Sequence, residues 1–448
     1  MNKAECTVTV NTACGPILGL VRENAHIFRG IPYASTPRFE APQPIDRWES
    51  TLDATAQEHD CWQYSAFRDE SQEKDNFYYH EFREGAVFQY RESPMELSVI
   101  APAECRNAPV ILFFHGGGHE TGTIGELPYG QSLEYAKRGI LLVSAGYRLN
   151  VFSLYRSRNY GLLDQMEAIS WVRRHIGDFG GDPDKITIMG QSAGAMSVMD
   201  LCLTQQLKGK VRGAVMMSGG GLVPRLACPI PEKKSAPFWN RVLEQAGVKT
   251  EEEAKAVTPQ RLWESWYAES RSGQDFHILQ PGIDGCVIPD LPQNQYKAGK
   301  VLDIPMIMGI TGQDMFPWFI YEMALSYGLG NARQGKSPVY GYMLTRTPPG
   351  GDYKAFHGLD LWYLFGCMES SRRAFTQEDK ALSARMIDHI AAFARSGDPN
   401  AQGLPRWLPI SREHKAFARF DVDSRREISP WACRKYMLRT ALFDHGPL

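Results

Sequence analysis

Two short stretches of this chain carry residue types at spacings suited to nucleophilic chemistry. The first is Gly190-Gln191-Ser192-Ala193-Gly194, which follows the strand-like Lys185-Ile186-Thr187-Ile188-Met189 and leads into the helix-compatible Ala195-Met196-Ser197-Val198-Met199. A serine framed by glycines at a strand-to-helix junction is expected to sit on a tight turn, its hydroxyl exposed and the first amides of the helix aimed at the same point. The second stretch is His115-Gly116-Gly117-Gly118, at the end of the apolar run Val110-Ile111-Leu112-Phe113-Phe114. Three successive glycines leave their N–H groups uncovered, so the loop is expected to form a nest for negative charge. A hydroxyl nucleophile beside a nest for an oxyanion is what acyl transfer needs. His115 and His119 flank the glycines four residues apart, but paired metal-binding histidines at that spacing need a helix and a Glu beside the first, so no metal is expected there.

Both motifs need strands that end side by side. The sequence offers hairpin-like alternation at Thr7–Val10 and Ile17–Val21, continued by His26–Ala34. After the strand at Val110 come a helix-like stretch at Ser132–Arg138, a strand at Ile140–Ser144, a helix at Leu163–His175 and the strand before Ser192. Further strands are expected at Ala214–Ser218 and Ile304–Gly309, and a late helix at Met386–Arg395. Gly180-Gly181-Asp182-Pro183 reads as a helix end and a turn. Alternating strands and helices predict an α/β fold with a mostly parallel central sheet flanked by helices and a small N-terminal β region. Ligands of such sheets bind at the carboxyl ends of the strands, where both motifs fall. No linker or repeat divides the chain, so residues 1–448 read as one domain.

Two segments stand apart from that alternation. Residues 60–92 are polar but carry Trp62, Tyr64, Phe67, Phe77, Tyr78, Tyr79, Phe82, Phe88 and Tyr90, and read either as a packed surface loop or as a flap at a pocket mouth. Pro229–Glu269 is a helical insertion whose Trp239, Trp263 and Trp266 are expected in the core and not in the site.

Composition narrows the partners. Lys plus Arg number 49 against 51 Asp plus Glu, a formal net charge of −2 that carries no electrostatic signature for nucleic acid or a membrane surface. A hydrophobic fraction of 43% suffices for a large core. The first ten residues have no apolar signal-peptide core, no stretch approaches a membrane span, and nothing signals an interface-binding surface. Nine cysteines, an odd number without paired short spacings, and the lack of any glycosylation sequon fit free thiols. The expectation is a cytoplasmic protein acting on a small molecule.

The chain resembles the type-B carboxylesterases, a family of α/β-hydrolases that includes bacterial para-nitrobenzyl esterases and cholinesterases. The likeness runs through Phe28-Arg29-Gly30-Ile31-Pro32-Tyr33-Ala34, His115-Gly116-Gly117-Gly118, Tyr147-Arg148-Leu149 and Gly161-Leu162-Leu163-Asp164-Gln165. It continues in Phe179-Gly180-Gly181-Asp182-Pro183, the Ser192 motif and His357-Gly358-Leu359-Asp360-Leu361. The resemblance implies an α/β-hydrolase fold and the order nucleophile, acid, base. It places the nucleophile at Ser192, the acid at Asp314 within Gly309-Ile310-Thr311-Gly312-Gln313-Asp314-Met315, and the base at His357. The oxyanion-hole donors fall at Gly117, Gly118 and the amide of Ala193. Asp284 is the rival acid, and His277 and His389 are the rival bases.

Three departures qualify the likeness. Where the family has Glu beside the nucleophile this chain has Gln191, which argues against cationic choline esters. Cys61 lacks a disulfide partner, because the matching stretch is Glu92-Ser93-Pro94-Met95. The short span from Asp314 to His357 implies a reduced helical cap and an open mouth. The activity implied is that of a serine carboxylesterase working on neutral short-acyl esters and water, without metal or organic cofactor. A lipase for longer acyl chains and a catalytically dead interaction protein are the alternatives.

Overall fold

Apolar runs closed by glycine or polar residues become the strands of one large mixed sheet in the computed structural model, which describes residues 6–443 apart from 57, 68–75, 221–228, 273–279, 352 and 424. The strands are β1 (Thr7–Thr12), β2 (Gly15–Arg22), β3 (Ala25–Pro32), β4 (Glu96–Pro102), β5 (Ala108–Phe114), β6 (Leu141–Ala145), β7 (Gly181–Gln191), β8 (Gly213–Met217), β9 (Met306–Thr311), β10 (Val339–Leu344), β11 (Phe417–Phe420) and β12 (Glu427–Ile428). Their order is β1-β2-β3-β4-β6-β5-β7-β8-β9-β10-β11-β12, with Leu52–Asp53 added beside β2. From β6 through β11 every pairing is parallel, while β1 to β4 and the β11–β12 edge are antiparallel. The central strands β5, β6, β8, β9 and β10 are almost wholly buried, as expected where helices cover both faces.

Side chains that alternate along the central strands feed two cores. Val110, Leu112 and Phe114 of β5 face α1 (Tyr160–His175) and α2 (Ala193–Leu203), joining Trp171, Val198 and their neighbours. Ile111 and Phe113 point the other way, into a second cluster with α6 (Leu359–Phe365) and α7 (Gln377–Ser396). The insertion folds as α3 (Glu232–Ala246) and α4 (Pro259–Ser270), and α5 (Pro317–Gln334) follows β9. No helix among the described residues is long and apolar enough to cross a membrane.

Two motif residues lock α1 to the sheet. Arg148, in the turn after β6, donates from Nε and Nη2 to the two carboxylate oxygens of Asp164 on α1, at 2.8 and 2.6 Å, and its own amide adds a third bond at 3.0 Å. Both side chains are buried. The fork-to-fork geometry satisfies both charges without water.

Several elements differ from the sequence expectation. The helix-like stretch at Ser132–Arg138 shrinks to one 3₁₀ turn at Ala136–Arg138. The strand before Ser192 begins at Gly181, so Asp182 and Pro183 belong to it and not to a turn. Strands β4 and β10 were not anticipated, because Glu96 and Ser98 in one and Gly341 in the other interrupt the apolar pattern. Glu96 is satisfied by the amide of His59 at 2.7 Å, and Ser98 donates to Glu58 at 2.8 Å. The late helix starts at Gln377, nine residues early, behind a capping box of Thr376 and Asp379.

Candidate active site

Parallel register brings the two glycine motifs together. Phe114 of β5 pairs with Gly190 of β7, so the loops that leave both strands emerge as neighbours at the carboxyl edge of the sheet. Ser192 caps α2 with φ 54° and ψ −121°, outside the regions L-residues favour. The turn is tight enough that a Cβ on Gly194 would lie 2.2 Å from the Phe114 carbonyl, and one on Gly190 2.3 Å from that of Gly194. The serine turn therefore holds against the loop after β5 by backbone contact. Tyr147 braces the other side of that loop, donating to the His115 carbonyl at 2.7 Å with the two rings stacked 4.5 Å apart.

The loops that carry Asp314 and His357 are clamped one residue upstream of those side chains. Gln313 and Phe356 form an isolated parallel bridge, the Gln313 amide donates to Ala355 at 2.7 Å, and the Lys354 amide donates to the Gln313 side chain at 2.9 Å. The next residue on each side is Asp314 and His357. His357 Nδ1 lies 2.6 Å from Asp314 Oδ1, so Nδ1–H donates to the carboxylate. Asp314 Oδ1 also accepts from the Met315 amide at 2.8 Å, and Oδ2 accepts from the Thr311 amide at 3.2 Å and hydroxyl at 2.9 Å. Burial alone would raise the Asp314 pKa, but the facing imidazole and these donors hold it below the usual carboxylate value. Burial likewise pushes His357 down, yet the charge and hydrogen bond of Asp314, with help from Asp360, set it above the free imidazole value of 6.5.

Ser218, Asp360 and Gln191, to which the sequence analysis assigns no part in the triad, complete this environment. Ser218, just past β8 at φ 54°, helps through its buried hydroxyl to lower Asp314. Asp360 sits on α6 behind His357 and accepts from Tyr342 at 2.6 Å; burial, with Asp314 nearby, raises it to about 6. Its place three residues after His357, in the first turn of α6, is the available clue. Gln191 Nε2 lies 3.2 Å from His357 Nε2.

These groups open onto a cavity of about 1490 Å³ lined by Gly117, Gly118, Ser192, Asp314 and His357. Ala193 contributes the first amide of α2. Tyr64, Tyr78, Tyr79 and Phe82 from residues 60–92 also line it, so that segment borders the pocket over its described part; residues 68–75 lie outside the described residues. Trp263 and Trp266 correct the expectation that they belong to the core alone. Both are 1% exposed, but α4 stands over the cavity and the same rings that pack inward also form its wall. Trp239 is in the core as expected. The mouth is less bare than the short Asp314–His357 span implied, because α4 and the start of α5 wall it. Met315 and Phe316 there line the cavity and, with the adjacent Trp318 and Phe319, are 38 to 48% exposed, an exposed apolar patch beside the mouth.

The two described rivals lie elsewhere. Asp284 accepts from Asn159 at 2.8 Å and from the amides of Cys286 and Ile288, which fixes a turn. His389 is bonded to the Pro399 carbonyl at 2.8 Å and packed on Trp407. His277 lies outside the described residues. His115 donates to the Gly116 carbonyl at 2.8 Å, and burial pushes it down to about 3 and His119 to about 4, so both are neutral imidazoles.

The sequence profile of the Carboxylesterase family matches residues 7–327 and 320–434. The chain belongs to that family. It is 29% identical to the para-nitrobenzyl esterase of Bacillus subtilis, over 90% of this chain and 93% of that one. The human cocaine esterase is 25% identical over 91% of this chain and 86% of its own length. Among solved structures, a PNB esterase superposes with a TM-score of 0.80 at 25% identity, covering 96% of this chain and 99% of the other. This carboxylesterase therefore has the α/β-hydrolase fold and is a carboxylic ester hydrolase.

Proposed function

We propose that Ser192 is the nucleophile of this carboxylesterase, His357 its general base and Asp314 the acid that orients the base. The observation that carries this reading is the 2.6 Å bond from His357 Nδ1 to a buried carboxylate, in the same cavity as a serine on a strained strand-to-helix turn. With Nδ1–H committed to Asp314, Nε2 is left as the proton acceptor. As Ser192 Oγ attacks the ester carbonyl, its proton passes to Nε2, and the amides of Gly117, Gly118 and Ala193 receive the oxyanion. The imidazolium then protonates the leaving alcohol. Water, deprotonated by the same imidazole, attacks the acyl-enzyme, and the acid leaves as Ser192 recovers its proton. Asp314 stabilises the imidazolium at both steps without taking its proton.

The substrates we propose are neutral esters with short acyl groups and bulky or aryl alcohols. Gln191 offers no charge to a cationic alcohol, and Tyr64, Tyr78, Phe82, Trp263 and Trp266 supply apolar and aromatic contact to a large alcohol moiety. Eight described cysteines, Cys61 among them, carry free thiols and support a cytoplasmic setting. The test is a phosphonate or sulfonyl fluoride probe with peptide mass spectrometry, together with para-nitrophenyl ester turnover. The adduct is expected on Ser192, and Ser192→Ala is expected to lose several orders of magnitude in kcat while still folding. An adduct elsewhere, or turnover near wild type in Ser192→Ala, overturns the assignment.

A further inference from the structure

Gln191 occupies a position that general considerations of the triad leave unexplained. Its amide nitrogen lies 3.2 Å from His357 Nε2, the atom that must take the proton from Ser192. An amide N–H can only donate, and Nε2 can accept only while it is unprotonated. The side chain lies between two loops. A Cβ on Gly116 would come within 2.5 Å of Gln191 Oε1, and one on Gly358 within 3.5 Å of Nε2, so the amide threads between the oxyanion loop and the base loop. Its backbone is fixed at the end of β7, paired with Met217.

Resting on the assignment of His357 as base, the geometry points to Gln191 as a positioning residue that keeps Nε2 of the base unprotonated in the resting enzyme and yields that lone pair to Ser192 when substrate arrives. The two donors address one lone pair, so they alternate. When Ser192 Oγ–H engages, the amide must withdraw; when the proton has moved, the new Nε2–H faces an amide N–H that cannot accept it. Gln191 thus favours the neutral imidazole over the imidazolium. A carboxylate at the same place, as the resembling family carries, would accept from Nε2–H and favour the imidazolium instead. The amide extends the working range of this enzyme toward acid.

Other groups that face His357 act on the same equilibrium. Asp314 from the loop after β9 and Asp360 from α6 favour the cation, while Tyr78, from the segment Phe77–Phe82, lies perpendicular to the imidazole with ring centroids 6.5 Å apart and adds burial. Against that background the amide of Gln191 is a donor to the neutral form.

The experiment compares Gln191→Met, which keeps length and removes the donor, with Gln191→Glu. The acid limb of kcat/KM reports the base of the free enzyme. Loss of the donor is expected to move that limb up by as much as about one pH unit in Gln191→Met, and the carboxylate by about one to three units in Gln191→Glu. A second readout does not depend on turnover. In the inactive Ser192→Ala background, ¹⁵N-histidine NMR should follow the His357 titration midpoint through the same upward shifts, with Nε2 unprotonated at neutral pH. Unmoved limbs and midpoints, within about 0.2 unit, overturn the role of Gln191. Activity surviving in Ser192→Ala would instead overturn the catalytic assignment, so the two failures are distinguishable.

Discussion

Replacing Asp314 by Asn tests the orienting acid against the detail of its surroundings. The carboxylate accepts at both oxygens: His357 Nδ1–H and the Met315 amide at Oδ1, and the Thr311 amide and hydroxyl at Oδ2. An amide can satisfy only one side. With its oxygen toward His357 the amide keeps the productive tautomer, leaves an NH₂ against the Thr311 amide, and loses the charge that stabilises the imidazolium. That charged bond is worth about 1.5–3 kcal/mol, or about ten- to a hundred-fold in rate. With its nitrogen toward His357 the proton moves to Nε2, the base faces Ser192 with a donor, and the loss approaches about 10⁴-fold. The predicted fall in kcat is therefore between about ten-fold and 10⁴-fold. The sign of the pH effect is independent of which orientation wins. Burial lowers the His357 pKa and Asp314 raises it, so without the carboxylate the acid limb of kcat/KM moves to lower pH while the plateau falls. Turnover of para-nitrophenyl acetate across pH, on variants checked for folding, measures both. A loss smaller than about three-fold, or an acid limb that rises, would refute the reasoning, as would a larger loss in Asp284→Asn than in Asp314→Asn.

In the wild type the acid limb of kcat/KM should lie above 6.5, because His357 is raised, and activity should grow as pH rises through it. Arg148→Met strands the buried Asp164 carboxylate and should destabilise the fold by about 3–5 kcal/mol, read as a lowered urea midpoint. Trp263→Leu removes a ring from the cavity wall and should reduce kcat/KM for aryl-alcohol esters more than for a methyl ester of the same acid. In a panel of para-nitrophenyl acetate, butyrate and palmitate with a choline ester, the short acyl groups should lead; preference for palmitate would assign the exposed patch at Met315–Phe319 to lipid substrates.

The chemistry was more legible in the sequence than the walls that enclose it. Ser192 and the Gly116–Gly118 loop announce themselves because a turn without Cβ atoms at fixed offsets is a local requirement, written in adjacent residues. Asp314 and His357 are forty-three positions apart and meet through the Gln313–Phe356 bridge, a long-range pairing with no local signature; only resemblance to known chains located them. The tryptophans of α4 misled because a ring can pack on the core with one face and line a cavity with its edge, and periodicity reports only the first. Strand β4 is masked where its buried polar groups, Glu96 and Ser98, are satisfied by partners tens of residues away, and β10 where Gly341 breaks the apolar run. Gln191 was read as a missing charge, and its bond to the base depends on a distance that no spacing encodes.

The backbone at Ser192 carries a consequence for how this protein can change. Its φ of 54° with ψ of −121° is a conformation that glycine enters freely and that costs any other residue about 1–3 kcal/mol. On the proposed mechanism, a position that cannot vary for turnover is thus among those where the fold itself would gain from substitution. Selection for ester cleavage and selection for thermal robustness pull this residue in opposite directions, so a laboratory lineage screened for heat resistance alone should drift to glycine here. Such a variant would keep its shape and lose its chemistry, and it shows why stabilising this enzyme without watching activity rewards the wrong change.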